Sequence, residues 1–207
     1  MNAEDFVTAL RARVVACGLK LSPSQAREFE KFYGLLTKWN RRINLTALEL
    51  GPTLPVETLD RLFIEPIIAS GLVPGDPLAL IDLGSGAGSP ALPIKILRPG
   101  IRLTMVETRG RKAAFLREAV RTLGLDDVDV EQTRFQALPA SMSSEFDIVM
   151  ARALRLDEEL IGTVIDLLKP TGRLITFGVE DAPGFRLADK RQLPGGSHAA
   201  IWTPLQS

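Results

Sequence analysis

Leu80-Ile81-Asp82-Leu83-Gly84-Ser85-Gly86-Ala87-Gly88-Ser89-Pro90 is the stretch on which the fold turns. The apolar run at 78–83 leads directly into glycines at alternate positions. Five apolar residues in a run of six, followed by a turn signal, read as a buried strand. The glycines at 84, 86 and 88 let the backbone turn sharply and approach a ligand closely. Their spacing excludes two other loops. In the dinucleotide pattern G-x-G-x-x-G the third glycine stands one residue further on. A P-loop ends in lysine and serine or threonine, whereas this stretch ends in Ser89-Pro90.

Toward the C-terminus the pattern repeats. Segments 101–106, 128–131, 146–150 and 173–177 are strand candidates. Helical stretches at 90–97, 110–123 and 156–168 lie between them. Strand and helix in alternation predict a parallel sheet covered on both faces. The fold class is therefore α/β: a Rossmann-like, doubly wound, mostly parallel sheet. Beyond Gly178, segments 185–193 and 197–204 joined by Pro194-Gly195-Gly196 predict a terminal β-hairpin.

Toward the N-terminus the period is helical. Phe6, Leu10 and Val14 share one face, and Gly18 follows as a stop. Ser22-Pro23-Ser24-Gln25 offers an N-cap serine, proline at the first position and glutamine at the third. Phe29, Phe32, Leu36 and Trp39 form an apolar stripe that needs a partner surface. Trp39 completes that stripe, so it reads as core before it reads as a base-stacking platform. A third helix is expected over 55–70, and 72–77 is a turn-rich break. The expected division is an N-terminal helical cap at 1–70 and a second domain at 71–207.

The 207 residues carry 45% hydrophobic and 24% charged side chains, as ordinary globular chains do. Twenty-five basic residues balance 25 acidic ones, so no global nucleic-acid signature exists. The exception is local: Arg98, Arg102, Arg109, Arg111, Lys112, Arg117 and Arg121 face only Glu107 and Glu118 between 98 and 121. Such a stretch is either a solvated helix face or a phosphate-binding one. One cysteine, Cys17, excludes an internal disulfide and suits a reducing compartment. One histidine, His198, argues against a histidine-built metal site or catalytic triad. No run has the length of a membrane span and no leader is evident, so the expectation is a cytoplasmic protein without membrane or metal, and a monomer.

The pattern D-x-G-x-G-x-G after a first strand resembles the S-adenosylmethionine loop of Rossmann-like methyltransferases. The resemblance implies cofactor contacts along Asp82, Gly84, Ser85, Gly86 and Gly88. Glu107 ends the second strand, and a carboxylate there can accept from both ribose hydroxyls. Further segments narrow the resemblance: Lys38-Trp39-Asn40 with Asn44-Leu45-Thr46, Gly110-Arg111-Lys112 with Phe115-Leu116-Arg117, Arg134, and Phe146-Asp147 leading to Ala151-Arg152-Ala153. Over nearly its whole length the chain is similar to the bacterial small-subunit ribosomal RNA guanine-N7 methyltransferases, the glucose-inhibited division protein B family. That similarity implies cofactor contacts at Gly84, Ser89, Phe135, Gln136 and Arg152, with Phe135 and Gln136 flanking the adenine. It further implies that Arg111, Lys112, Arg134 and Asn44 face the substrate, small-subunit ribosomal RNA or the small ribosomal subunit.

Four features depart from the family. Arg61-Leu62 stands for an arginine-histidine pair, Gln136 for glutamate and Gly178 for lysine, and little room remains for a helix before the hairpin. The first three bear on the substrate, so two alternatives stay open. One is a methyltransferase of this fold acting on a protein or small molecule. The other is a non-catalytic module that binds the cofactor or RNA.

Overall fold

Strand β1 (Leu78–Leu83) is buried at every position and is the third strand of a seven-stranded sheet, order β3-β2-β1-β4-β5-β7-β6. The computed structural model describes residues 3–51, 54–75 and 77–205. Asp76, within the expected break at 72–77, lies outside the described residues. β2 (Ile101–Val106), β3 (Val128–Glu131), β4 (Phe146–Ala151) and β5 (Leu168–Phe177) run parallel to β1. β6 (Phe185–Gln192) and β7 (His198–Pro204) form the hairpin, with β7 antiparallel to β5. β5 starts earlier than its sequence pattern suggests, because Leu168 already pairs with Phe146 before an irregularity in the register. As expected, no helix intervenes between β5 and β6.

The alternation of side chains along each strand feeds two cores. One face packs Leu80, Leu103, Met105, Ile148 and Ile175 beneath every helix of the N-terminal half and beneath α5 (Ala91–Leu97) and α6 (Gly110–Leu123). The opposite face packs Ile81, Leu83, Val149 and Leu174 against α7 (Glu158–Leu167). The first core is continuous from Phe6 to Ile201, so the helical cap and the sheet share it.

The cap follows its local signals. α1 (Ala3–Ala16) buries Phe6, Leu10 and Val14. α2 (Pro23–Ile43) begins with a complete capping box: Gln25 N–H donates to Ser22 Oγ at 3.2 Å, and Ser22 N–H donates to Gln25 Oε1 at 2.9 Å. Trp39 packs edge-on against Phe115 of α6, ring centroids 5.8 Å apart, which supports its reading as core. The third helix is not the single element its periodicity implies. α3 (Val56–Leu59) passes through a π-helical turn, Asp60–Ile64, into α4 (Glu65–Ala69) and one 3-10 turn, Ser70–Leu72. Pro66, second in α4, has no N–H to return to the preceding turn. Arg13 of α1 grips Asp60 at the head of the π turn with two hydrogen bonds of 2.7 Å.

Phe63, fully buried in this turn, meets the edges or faces of Phe6, Phe29 and Phe32 at 5.0–6.0 Å between centroids. It therefore ties α1, α2 and the third helix together. Phe63→Ala is expected to destabilise the protein by about 3–5 kcal/mol in urea denaturation, the usual cost of emptying a phenylalanine site. A loss under about 1 kcal/mol would show that the cap repacks around the gap.

Candidate active site

The sheet order reverses beside β1: the chain crosses first toward β2 and β3, then back to β4 and β5. At such a switch point the loops diverge and leave a crevice at the carboxyl ends of the strands. The register makes the ends level. Leu83 pairs with Val106 on one side and Ala151 on the other, and Val106 pairs with Glu131. Gly84, Glu107 and Arg152 are thus each the first residue past the edge, although they are far apart in sequence.

The glycine loop is stitched to β2. The N–H groups of Gly84 and Ser85 both donate to Val106 O at 2.9 Å. Glu107, 7% exposed, accepts from Gly86 N–H at 2.9 Å through Oε2 and from Arg109 N–H at 2.8 Å through Oε1. Its carboxylate therefore holds the loop shut from below as well as ending the strand. Gly84, Gly86 and Gly88 all take positive φ, 76°, 55° and 79°. Their surroundings differ. A Cβ on Gly88 would lie 2.5 Å from Leu92 Cδ1, whereas on Gly86 it would meet only Gly84 O at 3.7 Å. Gly88 is a packing glycine and Gly86 borders open space.

Above the loop lies a crevice with a cavity of about 200 Å³. Of the residues the sequence singles out, Asp82, Gly84, Ser85, Gly86, Ser89, Lys112 and Arg152 line it. Gly88, Glu107, Phe135, Gln136, Asn44, Arg111 and Arg134 stand outside its wall. Gln136 is exposed and donates to Glu159 Oε2 at 3.1 Å, and Phe135 packs against the α7-side core. Asn44 is the exposed C-cap of α2, in left-handed conformation with φ 48°. Its neighbours Leu45 and Thr46 reach the crevice instead.

Asp82 is 1% exposed, and its Oδ2 has no hydrogen-bond partner. Ser85 Oγ bonds the Asp82 carbonyl rather than its carboxylate. Burial pushes the carboxyl up to about 7, Arg152 pulls the other way and Glu107 adds to the rise. Arg152 donates from Nη1 to Arg61 O at 2.8 Å and pairs through Nη2 with Glu65 Oε2. Its guanidinium lies over the Phe177 ring, 5.0 Å from the centroid. Ser89 Oγ donates to Leu62 O at 2.9 Å.

The basic stretch is mostly committed to the fold. Arg98 donates to the carbonyls of Ser70, Val73 and Pro74, and Lys112 Nζ donates to Leu45 O at 2.9 Å. Arg117 reaches Val130 O, and Arg121 pairs with Glu118. Lys112, expected on the substrate side, thus fastens the segment after α2 to α6 while lining the crevice. Arg61, Arg111, Arg134 and Arg155 are exposed and form no ion pair among the described residues. Leu48 lines the crevice without having been marked by any motif, and Arg61 and Leu62, which the sequence offers only as a departure from the family's arginine-histidine pair, line it with them once the cap packs on the loop.

A family model described as rRNA small subunit methyltransferase G matches residues 25–181. The chain belongs to that family. A ribosomal RNA small subunit methyltransferase G of Streptococcus sanguinis is 34% identical over 187 residues, covering 88% of this chain and 76% of the relative. One from Streptococcus pneumoniae is 34% identical over 197 residues, covering 93% and 80%. Among solved structures, the fold resembles a SAM-dependent methyltransferase from Aquifex aeolicus, TM-score 0.57 at 14% identity, over 72% of this chain and 97% of that one. It also resembles the PH0226 protein of Pyrococcus horikoshii, TM-score 0.59 at 12% identity, over 81% and 99%. The expected fold class stands. Among the described residues no helix is long and apolar enough to cross a membrane, and no cluster of three or more His, Cys, Asp or Glu is placed to hold a metal.

The raised Asp82 carboxyl makes a signed prediction. An unfolded aspartate ionises near 3.9, so between about pH 4 and pH 7 the folded protein holds a proton that the unfolded chain has lost. This group's contribution to stability therefore falls as pH rises through that window and is level above it. Asp82→Asn removes the effect. Its stability relative to wild type should grow by on the order of a few kcal/mol between pH 4 and pH 8, at about 1.4 kcal/mol per pKa unit. Denaturation of the cofactor-free proteins at both pH values checks this, and a gap independent of pH would refute it.

Proposed function

We propose that this chain transfers a methyl group from S-adenosylmethionine to N7 of a guanine in small-subunit ribosomal RNA, acting in the cytoplasm as a monomer made of a cap (1–70) and a methyltransferase domain (71–207). The observation that carries the reading is the buried Asp82 carboxylate, its Oδ2 without a hydrogen-bond partner, beneath a glycine loop at the switch point of a chain in this family. A buried unpaired charge is costly, and a cationic ligand relieves it. The amino-acid end of S-adenosylmethionine carries an ammonium group that fits this need. The cavity of about 200 Å³ suits that end alone, and Glu107, Phe135 and Gln136, outside its wall, would hold the nucleoside. Glu107 keeps acceptor capacity for sugar hydroxyls beyond the loop N–H groups it already takes.

When bound, the cofactor supplies an electrophilic methyl on sulfur. The residues of the chain contribute placement. Asp82 and the backbone of Gly84–Gly86 anchor the amino-acid end, and Arg152 and Ala153 wall the crevice where the acceptor enters. Neutral guanine offers a lone pair at N7, so no side chain has to remove a proton before attack. Alignment of the two reactants and a preorganised electrostatic environment are then the main requirements. The unpaired Arg61, Arg111, Arg134 and Arg155 follow the carboxyl ends of the strands or lie on the π turn beside them, where a phosphate backbone would pass.

The direct test is to incubate the protein with labelled cofactor and small-subunit RNA or subunit particles lacking the mark, then digest and look for 7-methylguanine. Its appearance at one nucleotide is expected, and no incorporation into any RNA or particle would sink the proposal. Gly86→Val should cost about 1–3 kcal/mol of stability, because a β-branched residue is strained at a φ of 55°, and should abolish cofactor binding in calorimetry by distorting a loop that lines the crevice; near-normal affinity would remove the loop from the site. Arg111→Glu with Arg134→Glu should weaken RNA binding and flatten its salt dependence while cofactor affinity stays unchanged. Undiminished RNA methylation in that variant would remove Arg111 and Arg134 from the RNA-binding surface.

A further inference from the structure

Two opposite charges border the crevice and do not meet. Asp82 Oδ2 is buried without a partner, and the Arg152 guanidinium lines the same cavity. In so dry a place a free guanidinium would turn to the carboxylate. Arg152 is instead restrained by groups on other elements. Glu65 of α4, 3% exposed, takes Nη2; Arg61 O takes Nη1; and the ring of Phe177 supports the guanidinium plane. The first two come from the helical cap.

The π turn explains why the cap can do this. Because Pro66 returns no N–H, the carbonyls of Arg61 and Leu62 have room for outside donors, and they receive Arg152 and Ser89, two residues of the crevice. Arg13 fixes the head of the same turn through Asp60. Glu65 follows the turn at once, so its carboxylate is held on a braced element.

We infer that Glu65 is a positioning residue of the cofactor site: by tethering Arg152 it keeps the guanidinium off Asp82 and leaves that carboxylate open to the cofactor's ammonium group. The inference rests on the cofactor reading given under Proposed function. A purely structural ion pair would explain the contact between Glu65 and Arg152, but a buried pair contributes little net stability and is replaceable by apolar side chains. It would not explain why a carboxylate in the same cavity stays empty. The charged groups around Asp82 are Arg152 beyond β4 and Glu107 beyond β2, with Lys112 of α6 and Arg61 of the π turn on the same crevice wall. Glu65 acts on Asp82 only through Arg152.

The test is calorimetric titration of the full-length chain with S-adenosylhomocysteine, which keeps the ammonium group, between pH 6 and pH 8. Wild-type affinity should rise by up to about tenfold over that range, as Asp82 loses its proton and accepts the ligand's cation. In Glu65→Gln the released guanidinium occupies Asp82. Affinity at pH 8 should then fall by about tenfold or more and the pH dependence should vanish, because a carboxyl paired with arginine stays ionised throughout. Glu65→Asp, which retains the tether one methylene shorter, should recover most of the affinity and the slope, and it carries the test if Glu65→Gln melts too low to titrate.

Glu65→Gln binding within about threefold of wild type with the same slope would overturn the inference. So would weaker binding with the slope intact, which is the signature of a structural role alone. Binding by Glu65→Asp as weak and as flat as that expected of Glu65→Gln would overturn it as well. Failure of the wild-type protein to bind overturns the cofactor reading and this inference together, whereas normal wild-type binding with an unaffected Glu65→Gln sinks the inference only.

Discussion

An ionised carboxylate inside a protein must be paired, hydrogen-bonded or neutralised by a proton. Asp82 has taken the third course, holding its proton up to about pH 7, and the surrounding structure is organised around that state. β1 delivers it to the crevice floor with every neighbour buried. Arg152, the cation best placed to pair with it, is turned aside by the cap. The loop above it turns through three left-handed glycines and leaves the carboxylate facing a cavity. Removing any of these conditions would let the charge find a partner inside the protein, and the crevice would lose its reason to bind a cation.

The same economy runs through the loop. Glu107 accepts two backbone N–H groups, which secures the turn and ends the strand in one stroke. Ser89 and Arg152 each bond a carbonyl of the π turn, so the cap and the sheet edge form one wall. The continuous apolar core beneath them, centred on Phe63, explains why a helical segment remote in sequence contributes to a site that belongs topologically to the sheet.

Charge shows how far composition misleads. Seven basic residues between 98 and 121 read either as a solvated helix face or as a phosphate-binding one. In three dimensions Arg98 binds the turn before β1, Lys112 binds Leu45 O, and Arg117 and Arg121 stay on their own helix and the adjoining strand. The unpaired arginines nearest the crevice come from four separate segments. Which cations remain unpaired is thus set by topology rather than by a run in the chain.

Elements whose cause is local were legible directly. The strand bounds 78–83, 101–106 and 128–131, the helix at 110–123 and the capping box at Ser22 all follow from period, glycine and capping chemistry within a few residues. The glycine loop and the acid at Glu107 were legible at the carboxyl edge of the sheet for the same reason, since a turn and a strand end are written in short spacings. What needed the tertiary structure was every relation between segments. Leu62 at the crevice wall, Glu65 on Arg152, and Lys112 on Leu45 depend on how the cap docks, and the π turn at Asp60–Ile64 breaks a period that runs through it unmarked. Sequence by itself determined the order of elements and the glycine loop at the sheet edge, because those forces act between neighbours in the chain. Which charges pair and which carboxylate stays open was decided only in the folded molecule, because burial and long-range contact set the energy of a charge there.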